Sequence, residues 1–430
     1  MRVTTARRAS AWRMTFETAP CPSRTRADST GIFFPGVDPL VGSIASFGTL
    51  AAGYAARPLG GLLFGHFGDR LGRKSMLIIT MSMMGVASAL IGLLPTHATI
   101  GVLAPVLLTA LRIIQGIAVG GEWGGAALMV VEHSDAKRRG RWTGIMQLGT
   151  PFGFLLSTAT VALFTLLPSE QFLSWGWRIP FLLSGALLVI GLYVRLSVTE
   201  SPIFESAVKQ APADRAPVRM LLQNPTRVLL AIAAGIGPFA LTALTSTHII
   251  SYATSIGYSM SEVLRSLLIM VSLSVVTIPL FSAISDKFGR KKVMLAAALG
   301  AVAYAFPLYA LANTKSIFIL IGAMLLAQVL QNAMHAPLTP FLSEMFPTSF
   351  RYTGVSVGYQ VAALIGAGFT PLIASSLVAS TNGSSVPLSI LMAAAAATTG
   401  IALLLSKETN GRDLSTSEAD TSRAQIAAEA

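Results

Sequence analysis

Three side chains that could do chemistry lie inside one apolar segment of the chain, residues 100–132. Arg112, Gln115 and Glu122 fall, together with the nearby His133, within a sector of about 80° when the segment is drawn as a helix. Ionisable groups are costly in a hydrocarbon core, so they are functional candidates by default. Arg112 has the planar fork of donors that binds a carboxylate in a bidentate manner. Glu122, removed from water, could take up and release a proton.

Two interpretations of Glu122 stay open. It could carry a proton, or it could be the ion-pair partner of a buried arginine such as Arg57. Arg112 and Glu122 are about 15 Å apart along a straight helix and therefore cannot pair directly. Several glycines in the same segment indicate a close-packing helix face rather than a substrate contact. They are Gly116, Gly120, Gly121, Gly124 and Gly125.

Two segments further along the chain also present polar side chains on one helix face. In segment 316–340, four such residues share an arc of about 100°. They are Gln328, Gln331, Asn332 and His335. In segment 227–253, Thr245, His248 and Tyr252 share a face. A histidine in such a position often makes only structural contacts. Two of them in segments that are expected to line a pathway favour contact with a substrate or a proton.

A charged turn occurs twice and sets the organisation of the chain. Residues 65–74 read GHFGDRLGRK, and residues 282–291, displaced by 217 positions, read SAISDKFGRK. An internal repeat predicts two similar halves, and paired halves in a membrane protein are typical of a transporter with its site between them. The predicted gating residues are Gly65, Asp69, Arg70, Gly72, Arg73 and Lys74 in the first copy and Asp286, Gly289, Arg290 and Lys291 in the second.

Basic residues alone could serve only to set the topology, but the spacing of Asp69 and Gly72, kept in both copies of the turn, argues against that interpretation. Gly65 and Gly72 permit close approach and a sharp reversal of the backbone. Asp69 is placed where the next helix begins, so its carboxylate is expected to meet the exposed amides of that helix. The basic residues that follow it are expected to form breakable charge pairs with the neighbouring bundle.

The composition identifies a polytopic helical membrane protein. Of 430 residues, 53% are hydrophobic and only 12% are charged, with a mean hydropathy of +0.66, whereas a soluble domain carries about a quarter charged residues. The net charge of +12 does not predict nucleic-acid binding, because the basic residues cluster in short turns between apolar runs. One cysteine, Cys21, excludes an intrachain disulfide and is no metal-site pattern.

Eleven apolar runs are each long enough to cross a bilayer, and the basic turns between them are predicted to be cytoplasmic. The runs are 41–64, 76–95, 100–132, 144–166, 179–196, 227–253, 263–284, 293–312, 316–340, 353–378 and 385–405. The predicted divisions are an Arg-rich segment 1–36, an N-terminal bundle 37–196, a cytoplasmic linker 197–226, a C-terminal bundle 227–406 and a polar cytoplasmic tail 407–430.

The repeat also predicts a helix where the chain has none. Shifting run 227–253 back by 217 positions gives 10–36, which is Arg-rich, lacks an apolar run and does not resemble a secretory signal. An eleven-span chain would place these arginines outside, against the charge rule that the other loops obey. The hypothesis is that the original start was lost, or that the reading frame is wrong upstream of about Gly31.

The motifs resemble those of the major facilitator superfamily and, within it, the metabolite:proton symporter family of shikimate, proline/betaine, α-ketoglutarate and citrate carriers. The matching stretches are RPLGGLLFGHFGDRLGRK (57–74), LRIIQGIAVGGEWGGA (111–126), WGWRIPF (175–181) and ESPIF (200–204). The resemblance implies an all-α fold of two pseudo-symmetric bundles with twelve spans. It also implies that Arg112, Gln115 and Gly116 form a motif tied to proton coupling and that the charged turns hold an outward-facing state.

These features predict a secondary active transporter of the bacterial cytoplasmic membrane and no enzyme, since no nucleophile elbow, P-loop, dinucleotide fingerprint or metal-ligand spacing occurs. It is expected to import a small organic acid or zwitterion with a proton by alternating access, as a monomer and without a cofactor. Arg112 would hold an anionic group, and Glu122 or a histidine would carry the proton. The predicted pathway residues are Arg57, Arg112, Gln115, Glu122, His248, Tyr252, Gln328, Gln331, Asn332 and His335.

Two alternative functions stay open. The same fold could act as an exporter or a uniporter, and a chain without its first helix could be inactive in transport. The sequence does not identify the substrate.

Overall fold

The computed structural model describes residues 39–414 except 165, 198, 210–215 and 382. Within these residues every regular element is helical and no strand occurs, which confirms the all-α prediction. The predicted Arg-rich segment 1–36 lies outside the described residues, as does the larger part of the predicted tail, 415–430.

The first half consists of six main helices and short connecting helices. The main helices are α1 (Pro39–Leu71), α2 (Arg73–Leu93), α3 (Leu103–Glu132), α4 (Arg139–Gln147), α5 (Gly149–Phe164) and α6 (Ile179–Ser197). The 3-10 turn Ala136–Arg138, α4 and α5 together form one membrane crossing. The connecting elements are His97–Ile100, Ser169–Ser174 and the 3-10 turn Gly176–Arg178, and Pro202–Lys209 and Pro217–Leu222 belong to the linker between the halves.

The second half repeats this plan with two π-helical turns inserted. Its helices are α7 (Pro225–Thr242), α8 (Ile249–Ser255), α9 (Met260–Phe288), α10 (Arg290–Ala312), α11 (Ile317–Met345), α12 (Arg351–Ala363), α13 (Thr370–Ser380) and α14 (Val386–Leu405). One π-turn, Ala243–His248, joins α7 to α8, and the other, Leu364–Phe369, joins α12 to α13. The sequence predicted uninterrupted helices at both places. Turns of this type are frequent at functional sites.

Ten of the eleven predicted spans are confirmed as helices that are long and apolar enough to cross a membrane. The remaining predicted run, 41–64, corresponds to α1, which is 33 residues long. α1 is not among the ten apolar helices. It carries charged and glycine residues towards the end that holds the charged turn, and its glycines pack against both halves: Gly60 against α3, and Gly61 and Gly65 against α12.

Glycine allows the backbones of α1 and α3 to touch. A Cβ atom at Gly60 would lie 1.9 Å from the carbonyl oxygen of Ile117, and one at Gly120 would lie 2.1 Å from the carbonyl oxygen of Arg57. Small residues at helix contacts are how membrane helices approach closely without a hydrophobic driving force. Of the predicted close-packing glycines, Gly116, Gly120 and Gly121 lie against α1, whereas Gly124 and Gly125 lie against α12.

The glycine contact makes a testable prediction about stability. Replacing Gly120 with alanine forces α1 and α3 apart, and overpacking of this kind typically destabilises a protein by about 1–3 kcal/mol. We expect the Gly120→Ala protein to unfold at a lower temperature in detergent than the wild type. Gly153→Ala is the matched control, because nothing lies within 4 Å of a Cβ at that position of α5. Equal unfolding temperatures for the two variants would contradict the packing argument.

Candidate functional site

The aspartate of each charged turn caps a helix of the opposite half. The carboxylate of Asp69 accepts hydrogen bonds from the backbone amides of Tyr352 at 3.0 Å and Thr353 at 2.9 Å, and from the Thr353 hydroxyl at 2.8 Å. These residues begin α12. A carboxylate at a helix N-terminus satisfies amides that have no partner within the helix and interacts favourably with the helix dipole.

The second copy of the turn makes the reciprocal contact. The carboxylate of Asp286 accepts hydrogen bonds from the backbone amides of Gly140 and Arg141, both at 2.8 Å, at the start of α4 in the first half. Gly72 and Gly289, with φ angles of 107° and 101°, form the reversals that follow the two aspartates. Each half therefore supplies the cap for a helix of the other.

The predicted position of Asp69 was the start of the next helix, and the structure differs on this point. The start of α2 is capped by Glu200, whose Oε2 accepts from the Lys74 amide at 3.1 Å. Glu408 caps α10 in the same way, accepting from the amides of Arg290 at 3.0 Å and Lys291 at 3.2 Å. Chain segments at the ends of the halves thus cap the neighbouring helices and leave the aspartates to bind across the interface.

Buried ion pairs surround the first cap. Arg73 lies 3.6 Å from Asp69 and 3.3 Å from Glu132, and Glu132 lies 3.1 Å from Arg351 of the second half. All four side chains are buried. Separating one partner of a buried pair leaves an uncompensated charge, which is strongly unfavourable unless water enters.

A second group of ion pairs surrounds the other cap. Glu344 lies 3.5 Å from Arg139 of the first half and 3.6 Å from Arg290, which in turn lies 2.5 Å from Asp286. These groups lie at the face that the sequence predicts to be cytoplasmic, and we refer to them together as the cytoplasmic clasp: Asp69, Arg73, Glu132, Arg139, Asp286, Arg290, Glu344 and Arg351. The clasp contacts hold the halves together at the face where the basic turns lie.

Among the described residues, the other basic side chains predicted for the gate, Arg70, Lys74 and Lys291, do not bridge the halves. Arg70 is exposed. Lys74 donates to the carbonyl of Leu196 at 2.9 Å, and Lys291 donates to the carbonyl of Leu404 at 3.0 Å, each within its own half. The charge pairs that cross the interface instead use glutamates and arginines outside the repeated turn.

The sequence contains a second internal repeat that the analysis of the charged turns did not reveal. A glutamate followed seven residues later by an arginine occurs at Glu132 and Arg139 and again at Glu344 and Arg351, displaced by 212 positions. The displacement between the charged turns is 217 positions, so a search with that offset alone overlooks the second repeat. Glu200, Glu344 and Arg351 all lie at helix ends on the face of the charged turns.

Arg112 and Gln115 lie inside the first bundle. Nη1 of Arg112 donates to Oε1 of Gln115 at 3.2 Å, and Nε2 of Gln115 donates to the hydroxyl of Ser88 on α2 at 2.6 Å. The Arg112 guanidinium also lies 5.9 Å from the ring centroid of Phe181 on α6. The predicted neighbours are thus brought together, among α2, α3 and α6.

Glu122 and Arg57 are not paired with each other. Within the part of the chain that the structure describes, Glu122 forms no ion pair or hydrogen bond, and its electrostatic neighbours are Arg195 and Tyr352. The Arg57 guanidinium lies 3.7 Å above the ring centroid of Tyr54 on the same helix. The structural alternative for Glu122, an ion pair with Arg57, is therefore not seen.

The predicted amide residues of α11 form a buried network. Gln328 and Asn332 both donate to the Ser274 hydroxyl, at 2.9 and 3.0 Å, and Asn332 also donates to the Thr277 hydroxyl at 2.7 Å. Gln331 donates to the Thr242 hydroxyl of α7 at 2.9 Å. These uncharged side chains link α7, α9 and α11 within the second bundle.

His335 continues the polar stripe into a group of aromatic rings that spans both halves. Its Nε2 lies 3.3 Å from the hydroxyl of Tyr359 on α12. The Tyr359 ring stacks on Trp123 of α3 with a centroid distance of 3.3 Å and an interplanar angle of 15°. Phe239 of α7 packs edge-on against Tyr359 at 4.8 Å. The sequence identified His335 as a candidate but not Trp123 and Tyr359, because aromatic residues are common in apolar helices.

The two other predicted residues of the second half lie within their own bundle. His248 is buried in the π-turn, and its Nδ1 has no hydrogen-bond partner among the described residues. The Tyr252 hydroxyl donates to Oδ1 of Asn313 at 2.6 Å, at the end of α10. This contact joins helix ends, so Tyr252 has a structural partner.

Two similar bundles of membrane helices that meet along one interface are typical of a membrane transporter. The sequence matches the profile of the Major Facilitator Superfamily over residues 27–357 and again over residues 266–428. The chain therefore belongs to the major facilitator superfamily.

Curated relatives place it among metabolite transporters. It is 42% identical to the shikimate transporter of Escherichia coli K12, over 87% of each chain. It is 38% identical to the inner membrane metabolite transport protein YhjE of the same strain, over 89% of this chain and 88% of the relative. It is 35% identical to the proline/betaine transporter of Salmonella typhimurium LT2, over 89% of this chain and 79% of the relative.

A solved structure confirms the fold. The proton:xylose symporter XylE superposes with a TM-score of 0.72, covering 96% of this chain and 97% of that chain at 18% identity. The predicted major facilitator fold is therefore confirmed, and the chain is a multi-pass transporter of small molecules.

The reciprocal caps predict how single carboxylates control the closed face. Asp69→Asn removes a charged acceptor from the start of α12, a change typically worth about 1.5–3 kcal/mol. We expect amide hydrogen exchange at Tyr352–Gly354 to accelerate by about 10–100-fold, the same free energy expressed as a rate. Asp286→Asn should do the same at Gly140–Trp142.

The matched control is Asp135→Asn, which changes an exposed aspartate that makes no side-chain cap. Exchange that is unaltered in both helix starts after both substitutions would show that the aspartates do not hold the face closed.

Proposed function

We propose that the protein is a proton-coupled symporter that takes up a small organic acid or zwitterion across the bacterial inner membrane, by alternating access and as a monomer. The names of its relatives support the substrate class, since they include transporters of shikimate and of proline or betaine. The name of YhjE supports the membrane. XylE, named a proton:xylose symporter, has the same fold.

The cytoplasmic clasp is the observation that carries the proposal. Among the described residues, the ion pairs that join the two halves lie at the cytoplasmic helix ends. A structure held together at that face is the outward-facing member of an alternating-access cycle. Opening towards the cytoplasm requires Asp69 and Asp286 to leave the helix starts that they cap.

Glu122 is the proposed proton carrier. It lies on a membrane helix, is partly buried and has no ion-pair partner among the described residues. Protonation would remove the unfavourable charge and so alter the free-energy difference between the two conformations. Arg112, hydrogen-bonded to Gln115 on the same helix, belongs to the motif that the family resemblance ties to proton coupling.

Transport in membrane vesicles tests the coupling. With an imposed inward proton gradient, radiolabelled shikimate or betaine should accumulate above equilibrium, and a protonophore should abolish the accumulation. Glu122→Gln should abolish accumulation while retaining exchange of labelled for unlabelled substrate, because exchange needs no net proton movement.

Glu170→Gln is the matched control, since Glu170 is an exposed residue of a connecting helix. Accumulation by Glu122→Gln at the wild-type level would exclude Glu122 as the carrier. Uptake that only reaches equilibrium and ignores the protonophore would favour a uniporter.

A further inference from the structure

We propose that Arg57 and the aromatic rings around it bind the carboxylate and the ring of a cyclic monocarboxylate. This inference rests on the proposed uptake of organic acids and narrows their class. The residues concerned are defined here as the midplane cluster: Tyr54, Arg57, Trp123, Phe239, His335 and Tyr359.

Three helices from both halves meet at this cluster. The backbone of α1 at Arg57 touches Gly120 of α3, one turn from Trp123. The contact between α1 and α12 lies one turn further along, where a Cβ at Gly61 would be 3.2 Å from the backbone of Ser356. Tyr359 is one turn from Ser356, and it lies within electrostatic range of Arg57. Arg57 thus faces the Trp123–Tyr359 stack across the interface between the halves.

The cluster lies at the depth where a substrate is expected. Arg57 is about 18 Å along α1 from Asp69, and Tyr359 is about 12 Å along α12 from Arg351, at 1.5 Å per residue. The hydrocarbon core is about 30 Å thick, so both positions are near its middle. Transporters made of two similar halves bind their substrates near the midplane, at the interface between the halves.

Arg57 has a donor that the protein itself does not use. Its Nε is buried and has no hydrogen-bond partner among the described residues. Tyr54 covers one face of the guanidinium and leaves its edge for hydrogen bonding. A planar guanidinium with available donors binds a carboxylate through two parallel hydrogen bonds.

The aromatic residues provide a surface for the apolar face of a ring. Trp123 and Tyr359 are stacked and only partly buried, although Phe239 beside them is buried. Partial exposure at a contact between the halves indicates space that a small molecule can enter. His335, 3.3 Å from the Tyr359 hydroxyl, adds a polar group at the edge of this surface.

The charge of the cluster favours an anion over a zwitterion. Arg57 brings a positive charge, and no carboxylate belongs to the cluster. Glu122 has Arg195 and Tyr352, which lie outside the cluster, as its electrostatic neighbours. Aromatic rings can bind a quaternary ammonium group, but the adjacent guanidinium would repel it. A cyclic monocarboxylate satisfies both the cation and the rings.

Ligand binding to the purified full chain in detergent tests the inference without a proton gradient. The probes are cyclohex-1-ene-1-carboxylate, acetate and glycine betaine, measured by calorimetry. For the wild type we expect the cyclic acid to bind more tightly than the other two. Arg57→Gln should weaken its binding by about 10–100-fold, the typical effect of losing a hydrogen bond to a charged group. Arg57→Lys, which keeps the charge but loses the fork, should weaken it less.

Two further variants locate the binding groups. Trp123→Ala should weaken binding of the cyclic acid and leave acetate unchanged, because only the ring contacts the indole. Arg112→Gln tests the alternative that Arg112, and not Arg57, binds the carboxylate, and it should leave binding of the cyclic acid unchanged. Arg265→Lys, an exposed arginine at the start of α9, is the matched control. Unfolding temperatures of all variants establish that each is folded. If Arg57→Gln does not fold, Arg57→Lys is the variant that tests the role of Arg57.

Several outcomes would overturn the inference: no binding of the cyclic acid to the wild type, equal or tighter binding of betaine, or loss of binding in Arg112→Gln but not in the Arg57 variants. The result of the binding experiment can be separated from the result of the vesicle uptake experiment. Binding that depends on Arg57 together with protonophore-insensitive uptake rejects the proposed proton coupling and retains this inference. Proton-driven uptake of a substrate whose binding is unchanged by substitution of Arg57 rejects this inference and retains the proposed proton coupling.

Discussion

Helix starts at the cytoplasmic face need acceptors, and the protein supplies them in two different ways. The first amides of a helix have no partner within it, and a membrane helix cannot rely on water until it leaves the hydrocarbon. Glu200 and Glu408 cap α2 and α10 from the same half. Asp69 and Asp286 cap α12 and α4 from the opposite half. Two caps therefore lie within one half, and two cross the interface and would be lost if the halves separated at this face.

The residues that follow the last membrane helix belong to the closed face. The sequence predicted a polar tail from residue 407, but residues 408–414 pack against both halves. The Thr409 hydroxyl donates to Glu344 at 2.9 Å, and Arg139 of the first half donates to the carbonyl of Arg412 at 2.6 Å. Arg351 donates to the carbonyl of Leu414 at 3.2 Å. These contacts satisfy donors of the clasp arginines that the carboxylates leave unused. Residues 408–414 are thus part of the set of contacts that would be lost if the halves separated at this face.

The limits of prediction from the sequence follow from the range of each interaction. Spans, turns and the close-packing glycines of α3 were predictable, because hydropathy and small-residue spacing are local properties of one helix. The partner of Asp69 was not, because Tyr352 is 283 residues away. The loops of the two halves also differ in length, so corresponding pairs are displaced by 217 positions at the aspartates and by 212 at the glutamates. Trp123 and Tyr359 gave no signal, since an aromatic residue in an apolar helix is ordinary until its partner across the interface is known.

The clasp and the midplane cluster are connected by the same three helices. Asp69 and Arg57 share α1, Arg351 and Tyr359 share α12, and Trp123 lies on α3. Between the two levels α1 and α12 are in direct contact, since a Cβ at Gly65 would lie 2.6 Å from Cα of Thr353.

Packed helices at this distance cannot separate at one level and stay in contact at the other without bending. From Leu59 to Asp69 of α1 and throughout α12 no proline occurs, and Pro58 lies at the midplane end of the stretch, beside Arg57. A ligand bound against Trp123 and Tyr359, as proposed, would therefore contact the same helices whose ends the aspartates cap. Occupancy of the proposed midplane site and closure of the face with the charged turns would in this way depend on one helix contact.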